Sequence, residues 1–265
     1  NLLRNYTQGT LYAEGRLFFS TIAPNKITSI TNGLGVTSNI TYEALVGDDR
    51  KEGEPPEYPI AYLPGPLCIV NQISTIDDEY VSSTEYTFKG PRVHMQGKGF
   101  LGYLYTITST QLSSTEYSVT ETNYDIDENY YFTMPVLAKN SLFSDVYGGV
   151  STTLGITTNI YDKKTYTDAL GLSLRYFPFL KQSLTKSYED DGSFIKVSRN
   201  DFGYNSYGDL TSNHFYQDDN QSLTLSSNTN EFEFREISTN TYYDADETNW
   251  ILGRLENTWI THGTL

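Results

Sequence analysis

From Ile27 to Thr261 the chain repeats one pattern. A run of alternating polar and apolar residues, rich in Tyr, Thr, Val and Ile, is followed by a cluster of Gly, Asn, Asp or Pro. A period of two matches a strand whose successive side chains point to opposite faces. No segment carries a convincing period of 3.6, the signature of an amphipathic helix. Runs of this kind at spacings of about ten residues, with turn signals between them, restrict the chain to an all-β fold. The expected architecture is an antiparallel, strand-rich sheet, either β-sandwich-like or a curved open sheet. Residues 1–265 read as one all-β region; the alternative is a division into a glycine-rich subdomain, 1–140, and a second, 141–265.

The first residues, 2–10, are expected to be extended. The clearest local signal is Asn32-Gly33-Leu34-Gly35 between the alternating runs 27–31 and 36–42, which predicts strand, turn and strand over 26–45. Residues 47–57 are charged, end in Pro55-Pro56 and predict a loop; with Pro59, Pro64 and Pro66 nearby, any strand at 60–63 is short or at an edge. Strands follow at 67–76 and 80–88 around Asp77-Asp78-Glu79. The stretch from Thr84 to Tyr105 holds Gly90, Gly97, Gly99 and Gly102, a density that signals bulges or close backbone approach. Further strands are predicted at 100–110, 118–124, 142–147, 152–161, 165–166, 172–179, 180–189, 194–200, 214–217, 231–243 and 251–261. Met134-Pro135 is expected to break any long element in 130–140. Tyr204–Leu210 and the Tyr242-Tyr243-Asp244 to Leu252-Gly253-Arg254-Leu255 segment form an imperfect recurrence of one strand–turn–strand unit.

Composition narrows function. The net charge of −15 leaves no basic face for nucleic acid or for an anionic membrane. An aromatic content of 14%, with 23 Tyr, argues for order despite a hydrophobic fraction of only 37%. No apolar run is long enough to span a bilayer as a helix. Asn1 to Tyr6 lacks the charged start and apolar stretch of a signal peptide, and the two ends of the chain read as those of a piece of a longer polypeptide. The single cysteine, Cys68, sits in the apolar run Pro-Leu-Cys-Ile-Val and is expected to be a small buried hydrophobe rather than a nucleophile.

Chemistry-bearing motifs are sparse. Gly97-Lys98-Gly99-Phe100-Leu101-Gly102 fits the bare G-x-G-x-x-G string, but β-forming aromatics follow it where a nucleotide site needs a helix N-terminus. His94, His214 and His262 lie far apart and read as strand or loop histidines. The acidic segments 125–129 and 244–248 resemble partial calcium loops, but Tyr130 and Asn249 occupy the sixth position and Val136 and Leu255 the twelfth. They read as turns. Sequons occur at Asn5, Asn39 and Asn220, as chance provides in a chain rich in Thr and Ser. No catalytic, cofactor-binding or metal-ligating residue is assigned. Two other function classes stay open: a carbohydrate- or cell-surface-binding β module presenting Trp250 or Trp259, and a glycosidase-like enzyme using two carboxyl groups.

Several of these stretches occur in the order found in a known family. The 27–42 segment with its Gly-x-Gly turn, Tyr58-Pro59, the acidic turn at Asp77-Asp78, Gln96-Gly97-Lys98-Gly99-Phe100-Leu101-Gly102, and Asn249–Leu255 followed by Thr258-Trp259-Ile260-Thr261 resemble the middle region of SpvB-like proteins and bacterial insecticidal toxin-complex B components. These belong to the wider Rhs/YD-repeat group. The resemblance implies a non-catalytic structural segment of a secreted, extracellular protein. In that family the region follows a β-propeller and forms part of a β-sheet shell around a toxic C-terminal cargo. The implied partners are the neighbouring propeller and Rhs-repeat parts and the cargo, with no nucleic acid and no direct membrane insertion. Asn205 stands where the YD repeat has Asp.

Overall fold

The computed structural model describes residues 2–7, 10–15, 26–46, 51, 53–63, 67–77, 80–144, 149–167, 173–249 and 251–264. Residues 47–50 of the expected loop, Asp78 and Glu79 of the expected turn, residues 145–147, Leu172 and Trp250 lie outside them.

The fold is all-β. A hairpin of β1 (Leu2–Thr7) and β2 (Thr10–Gly15) stands by itself. The remaining strands are β3 (Ser29–Thr31), β4 (Thr37–Leu45), β5 (Ile60–Tyr62), β6 (Leu67–Asp77), β7 (Tyr80–Lys89), β8 (Arg92–His94), β9 (Gly99–Gly102), β10 (Tyr105–Gln111), β11 (Glu116–Ile126), β12 (Thr133–Ser144), β13 (Val150–Thr167), β14 (Ser173–Tyr188), β15 (Phe194–Tyr204), β16 (Leu210–Asp218), β17 (Phe234–Tyr242) and β18 (Leu255–Thr264). Thirteen of them form one antiparallel sheet in the order β18-β17-β16-β15-β14-β13-β12-β11-β10-β7-β6-β4-β3, and β5-β8-β9 form a small second sheet. The large sheet is open: it does not close into a barrel.

Because consecutive strands pair, connections alternate between two ends of the sheet. At one end lie tight turns, such as 111–116 and 188–194, and the long return 219–233. At the other lie residues 53–59, the insertion carrying β8 and β9, and the connections at 127–132, 205–209 and 243–249. Apart from the return 219–233, most of the described irregular backbone is therefore gathered at the second end.

Apart from Pro91, only eight apolar side chains are buried among the described residues, and five of them, Leu184, Val197, Tyr216, Leu223 and Phe232, form one cluster. Register explains it. Leu184 faces Arg199, Arg199 faces Tyr216, and Val197 faces Asp218, so these side chains share one face. The return 219–233 folds over that face with Leu223 and Phe232. Asp218 ties both ends of the return, accepting from Asn220 N at 2.7 Å and Glu233 N at 2.8 Å. Arg199 clamps Asp201 through two bonds of 2.7 and 2.8 Å and donates to the Ser227 carbonyl at 2.8 Å. A 3-10 turn at Thr229–Glu231, capped by Asn228, aims Phe232 inward. On other strand pairs hydroxyls meet across the ladder, as at Thr84–Thr110 (3.2 Å) and Thr157–Thr185 (2.9 Å).

Several expectations are corrected. The 26–45 hairpin forms, but Gly35, at φ +88°, takes the left-handed position, while the Asn32 side chain accepts from Leu34 N and Val36 N. The run 100–110 is two strands in two sheets, because Gly102 at φ +107° turns the chain between them. Met134-Pro135 does not break β12. Pairing with β13 starts only at Leu137, so the missing N–H of Pro135 faces no ladder there, and a register shift in β11 at Asn123/Tyr124 accommodates the ring. Likewise 152–161 and 165–166 fuse into β13. Residues 172–179 and 180–189 become β14 from Ser173 onward, running through Pro178, where β15 has not yet joined. The strand at 231–243 starts later, at Phe234, and that at 251–261 starts at Leu255. Cys68 is exposed, not buried: in the alternation of β6, Ile69 takes the buried side and Cys68 the opposite one, where the Lys26 ammonium meets its sulfur.

Two substitutions test this account in a chemical denaturation series. Phe232→Ala, at a side chain 1% exposed, is expected to cost about 3–5 kcal/mol. Cys68→Ser is expected to stay within about 0.5 kcal/mol, as at a wet surface position; a core-sized loss there contradicts the exposed placement.

Candidate functional site

Two features cluster at the loop end of the sheet. The first is the plug made by the small sheet. Gly90, Pro91, Arg92 and His94 are buried beneath the 53–59 segment. Arg92 lies 4.7 Å from the Tyr62 ring centre and donates to the Glu54 carbonyl at 3.1 Å. Burial lowers the guanidinium pKa, opposed by Tyr62. His94 Nδ1 accepts from Gln96 N (3.3 Å) and Lys98 N (3.4 Å), and its ring packs 4.2 Å from Tyr131. Tyr131 holds φ +57°, a left-handed conformation rare for a bulky residue. A cleft of about 490 Å³ opens beside this plug, lined by Tyr58, Arg92, Asp125, Glu128 and Tyr131 among others.

The second feature is a cleft of about 640 Å³ between the end of the β13–β14 hairpin and two neighbouring turns. Its walls are Tyr166, Tyr176, Phe177, Ser206, Tyr207, Glu247 and Leu252. The recurrence of Tyr204–Leu210 and the 242–255 segment noted in the sequence is what builds it, since both segments are turns at this end. In the first, Asn205 Oδ1 accepts from Tyr207 N and Asp209 N, both at 2.9 Å. In the second, Asp246 Oδ1 accepts from Thr248 N (3.1 Å) and Asn249 N (3.0 Å). These Asx turns fix loop shape without tertiary help. Two glycines let the turns dock. A Cβ on Gly208 (φ +92°) would lie 3.1 Å from the Phe177 ring, and one on Gly253 (φ +67°) would lie 2.6 Å from Asp209 Oδ1. Tyr207 Oη donates to Glu247 Oε1 at 2.6 Å, which raises the phenol pKa and keeps it a donor. Tyr166 Oη donates to the Ser206 carbonyl.

Lysines bind the surrounding aromatic framework. Lys98 Nζ lies 4.8 Å from the Tyr176 ring centre, donates to its hydroxyl at 3.0 Å and meets the Tyr130 carbonyl. Lys164 Nζ donates to the carbonyls of Tyr204 (2.5 Å) and Asn205 (2.7 Å). Lys163 pairs with Asp127 at 2.6 Å and lies 4.6 Å from the Tyr130 ring centre. The three cations inside β13 and the glycine-rich turn thus staple the loop end.

In each calcium-like segment one carboxylate is taken up by hydrogen bonds that hold the turn. Asp127 accepts from Asn129 N, Tyr130 N and Lys163 Nζ, and Asp246 from Thr248 N, Asn249 N and Asn249 Nδ2. Among the described residues no group of three or more His, Cys, Asp or Glu could hold a metal ion. The histidines are not brought together: His94 is in the plug, His214 is on β16 near Tyr216, and His262 meets Glu236 on the edge pair at 3.1 Å. Trp259 lies exposed on β18 beside exposed Leu255 and Ile260. The aromatic cleft was not recognised in the sequence; its only trace there is the Tyr-x-x-Tyr-Gly spacing of Tyr204, Tyr207 and Gly208.

Residues 7–137 match the model of a family described as the insecticide toxin TcdB middle/N-terminal region. No curated protein sequence matches the chain. The fold is similar to the crystal structure of TcdB2-TccC3, with a TM-score of 0.61 and 13% identity over 89% of this chain. It is also similar to the crystal structure of TcdB2-TccC3-TEV, with a TM-score of 0.59 and 14% identity over 89% of this chain. The chain spans 15% of the length of each of those chains.

Two outcomes are expected at this end. Gly208→Ala should lower stability by about 1–3 kcal/mol, from a left-handed backbone and contact with Phe177 together, read as a drop in the denaturation midpoint. For Asp127, burial pushes the carboxyl pKa up, but hydrogen bonds from Lys163, Tyr130 N and Asn129 N outweigh it and the net shift is downward from 3.8. A depressed folded-state pKa stabilises above the unfolded value and is lost as pH falls through the folded value. Unfolding midpoints of Asp127→Asn, measured against pH, should therefore fall less steeply than wild type below pH 3.8.

Proposed function

Starting from residues 7–137 as a TcdB-type middle/N-terminal toxin region, we propose that this chain is a non-catalytic wall segment of a secreted bacterial toxin complex. The observation that carries the reading is the large sheet itself: thirteen strands in one layer, with β3 and β18 at its two edges, each lacking a further neighbour in it. A sheet edge presents unpaired N–H and C=O groups and is normally blunted or covered. Here β18 is exposed along its length, with Leu255, Trp259 and Ile260 more than half exposed. Such an edge suits continuation by another strand.

In this reading residues 1–265 act as one all-β unit. Flanking propeller and Rhs-repeat parts continue the layer, and the assembled shell encloses a toxic cargo outside the producing cell. The chain's role is to supply surface and stiffness, so it needs no cofactor and no metal. The fold it shares with the TcdB2-TccC3 chains supports this assignment.

Small-angle scattering tests it on this chain beside a longer one that carries its flanking residues. The expected result is a hollow, closed particle for the longer chain and an open or self-associating sheet for this one. A compact monomer whose shape its neighbours leave unchanged would falsify the wall reading and make the chain an independent module. A second check is Ile260→Lys. A charge on the exposed edge should reduce self-association of the isolated chain in sedimentation experiments while moving stability by no more than about 0.5 kcal/mol.

A further inference from the structure

We propose that the aromatic cleft at the loop end is a binding site for the ammonium group of a lysine side chain carried by another peptide segment. This stands apart from the wall reading and concerns chemistry rather than architecture.

The walls supply what a primary ammonium requires. Tyr166, Tyr176, Phe177 and Tyr207 present aromatic surface, and Glu247 supplies a carboxylate at the rim. A cation over an aromatic face is attracted by the ring quadrupole, and the attraction grows when water is excluded. An ammonium also carries three N–H donors that need acceptors. The second oxygen of Glu247 can take one, because Tyr207 Oη already occupies Oε1 and holds the carboxylate in place. The hydroxyl of Tyr166 is a further acceptor, since it uses its proton on the carbonyl of Ser206; that of Tyr176 is already engaged, accepting from Lys98 Nζ and donating to the Tyr130 carbonyl.

The surrounding framework already performs this recognition. The ammonium of Lys98 sits against Tyr176 and Tyr131, and that of Lys163 against Tyr130, each also bonded to oxygen. The volume of about 640 Å³ falls in the range of ligand sites. The net charge of −15 favours a cationic visitor over an anionic one.

The test is titration of the intact 265-residue chain, followed by NMR or calorimetry, with Nα-acetyl-lysine N-methylamide. Its neutral counterpart is Nα-acetyl-norleucine N-methylamide, which keeps the alkyl stem and lacks the ammonium. Saturable binding of the lysine compound, at least about fivefold tighter than that of the norleucine compound, is expected. Glu247→Gln should weaken lysine binding by about fivefold and leave norleucine binding unchanged. Glu247 is exposed, so an unaltered unfolding midpoint will show that the variant folds. Equal binding of the two compounds, no saturable binding of the lysine compound, or full lysine affinity in Glu247→Gln would each overturn the proposal.

Discussion

The structure depends on the contact between the 219–233 return and one face of β14 to β16. A single-layer sheet leaves both faces in water, and cross-strand hydrogen bonds alone give little net stability because water competes for the same groups. Apolar burial must come from somewhere. Here the chain folds its own loop back, and Phe232 and Leu223 close over Val197, Leu184 and Tyr216. The closure is held by polar groups at its rim. Asp218 anchors the first and last residues of the return, and Arg199 reaches up to Ser227 from the strand below. The guanidinium is 6% exposed at residue level, yet it is fully engaged by Asp201 and a carbonyl. Removing Asp201 would leave a buried cation unpaired, which is more disruptive than losing a surface pair.

From that anchor the rest of the loop end follows. β13 and β14 run past their neighbours, since β14 pairs with β15 only between Gln182 and Tyr188. The projecting hairpin would be a free ribbon without lateral support. It finds support in the turn 205–209, pressed against Phe177 through Gly208, and in the lysines of β13, which reach the turns on both sides. Lys163 reaches back to Asp127 in the β11–β12 connection, while Lys164 reaches forward to Tyr204 and Asn205. The cleft is the space this bracing leaves open. Its aromatic lining reflects the strand alternation that supplies rings and the small turns that cannot fill the gap.

Much of this was legible in the sequence, and the failures have physical reasons. Period-two alternation and turn residues located most of the strands, because register in a half-buried sheet is written in that alternation. Proline misleads once. Pro135 reads as a break, yet it lies where β12 has a neighbour on only one side, and lateral neighbours are invisible in a linear pattern. Asp162-Lys163-Lys164 read as a gap between strands for a similar reason: the charges are satisfied by partners 36 to 41 residues away. Cys68 was placed inside because its neighbours are apolar, whereas in a strand adjacent residues take opposite faces. The return 219–233 gave no signal of its role; a polar loop carrying Leu223, Leu225 and Phe232 looks like any connection until the face it covers is known. The cleft joins residues 166, 176, 207 and 247, a juxtaposition that only the alternating ends of the meander produce.

The placement of the core also bears on what the sheet can do. The main cluster supports β14 to β16. Across the sheet, the described residues of β3, β4, β6 and β7 contribute only Leu45 and Ile69 to the buried apolar set. Their order rests on ladder bonds and on the plug of Pro91, Arg92 and His94 at the loop end. A layer stabilised at one side and thinly supported at the other gains most from an added neighbour at its weak edge, where each new strand supplies hydrogen bonds and covers half-exposed side chains. At the opposite edge, β18 carries Trp259 and Ile260 facing water, apolar area that a further strand or a covering element would remove from solvent at roughly 25 cal/mol per Å². Among the described residues, both edges therefore present backbone groups, and β18 apolar side chains as well, that a further strand or a covering element would remove from water.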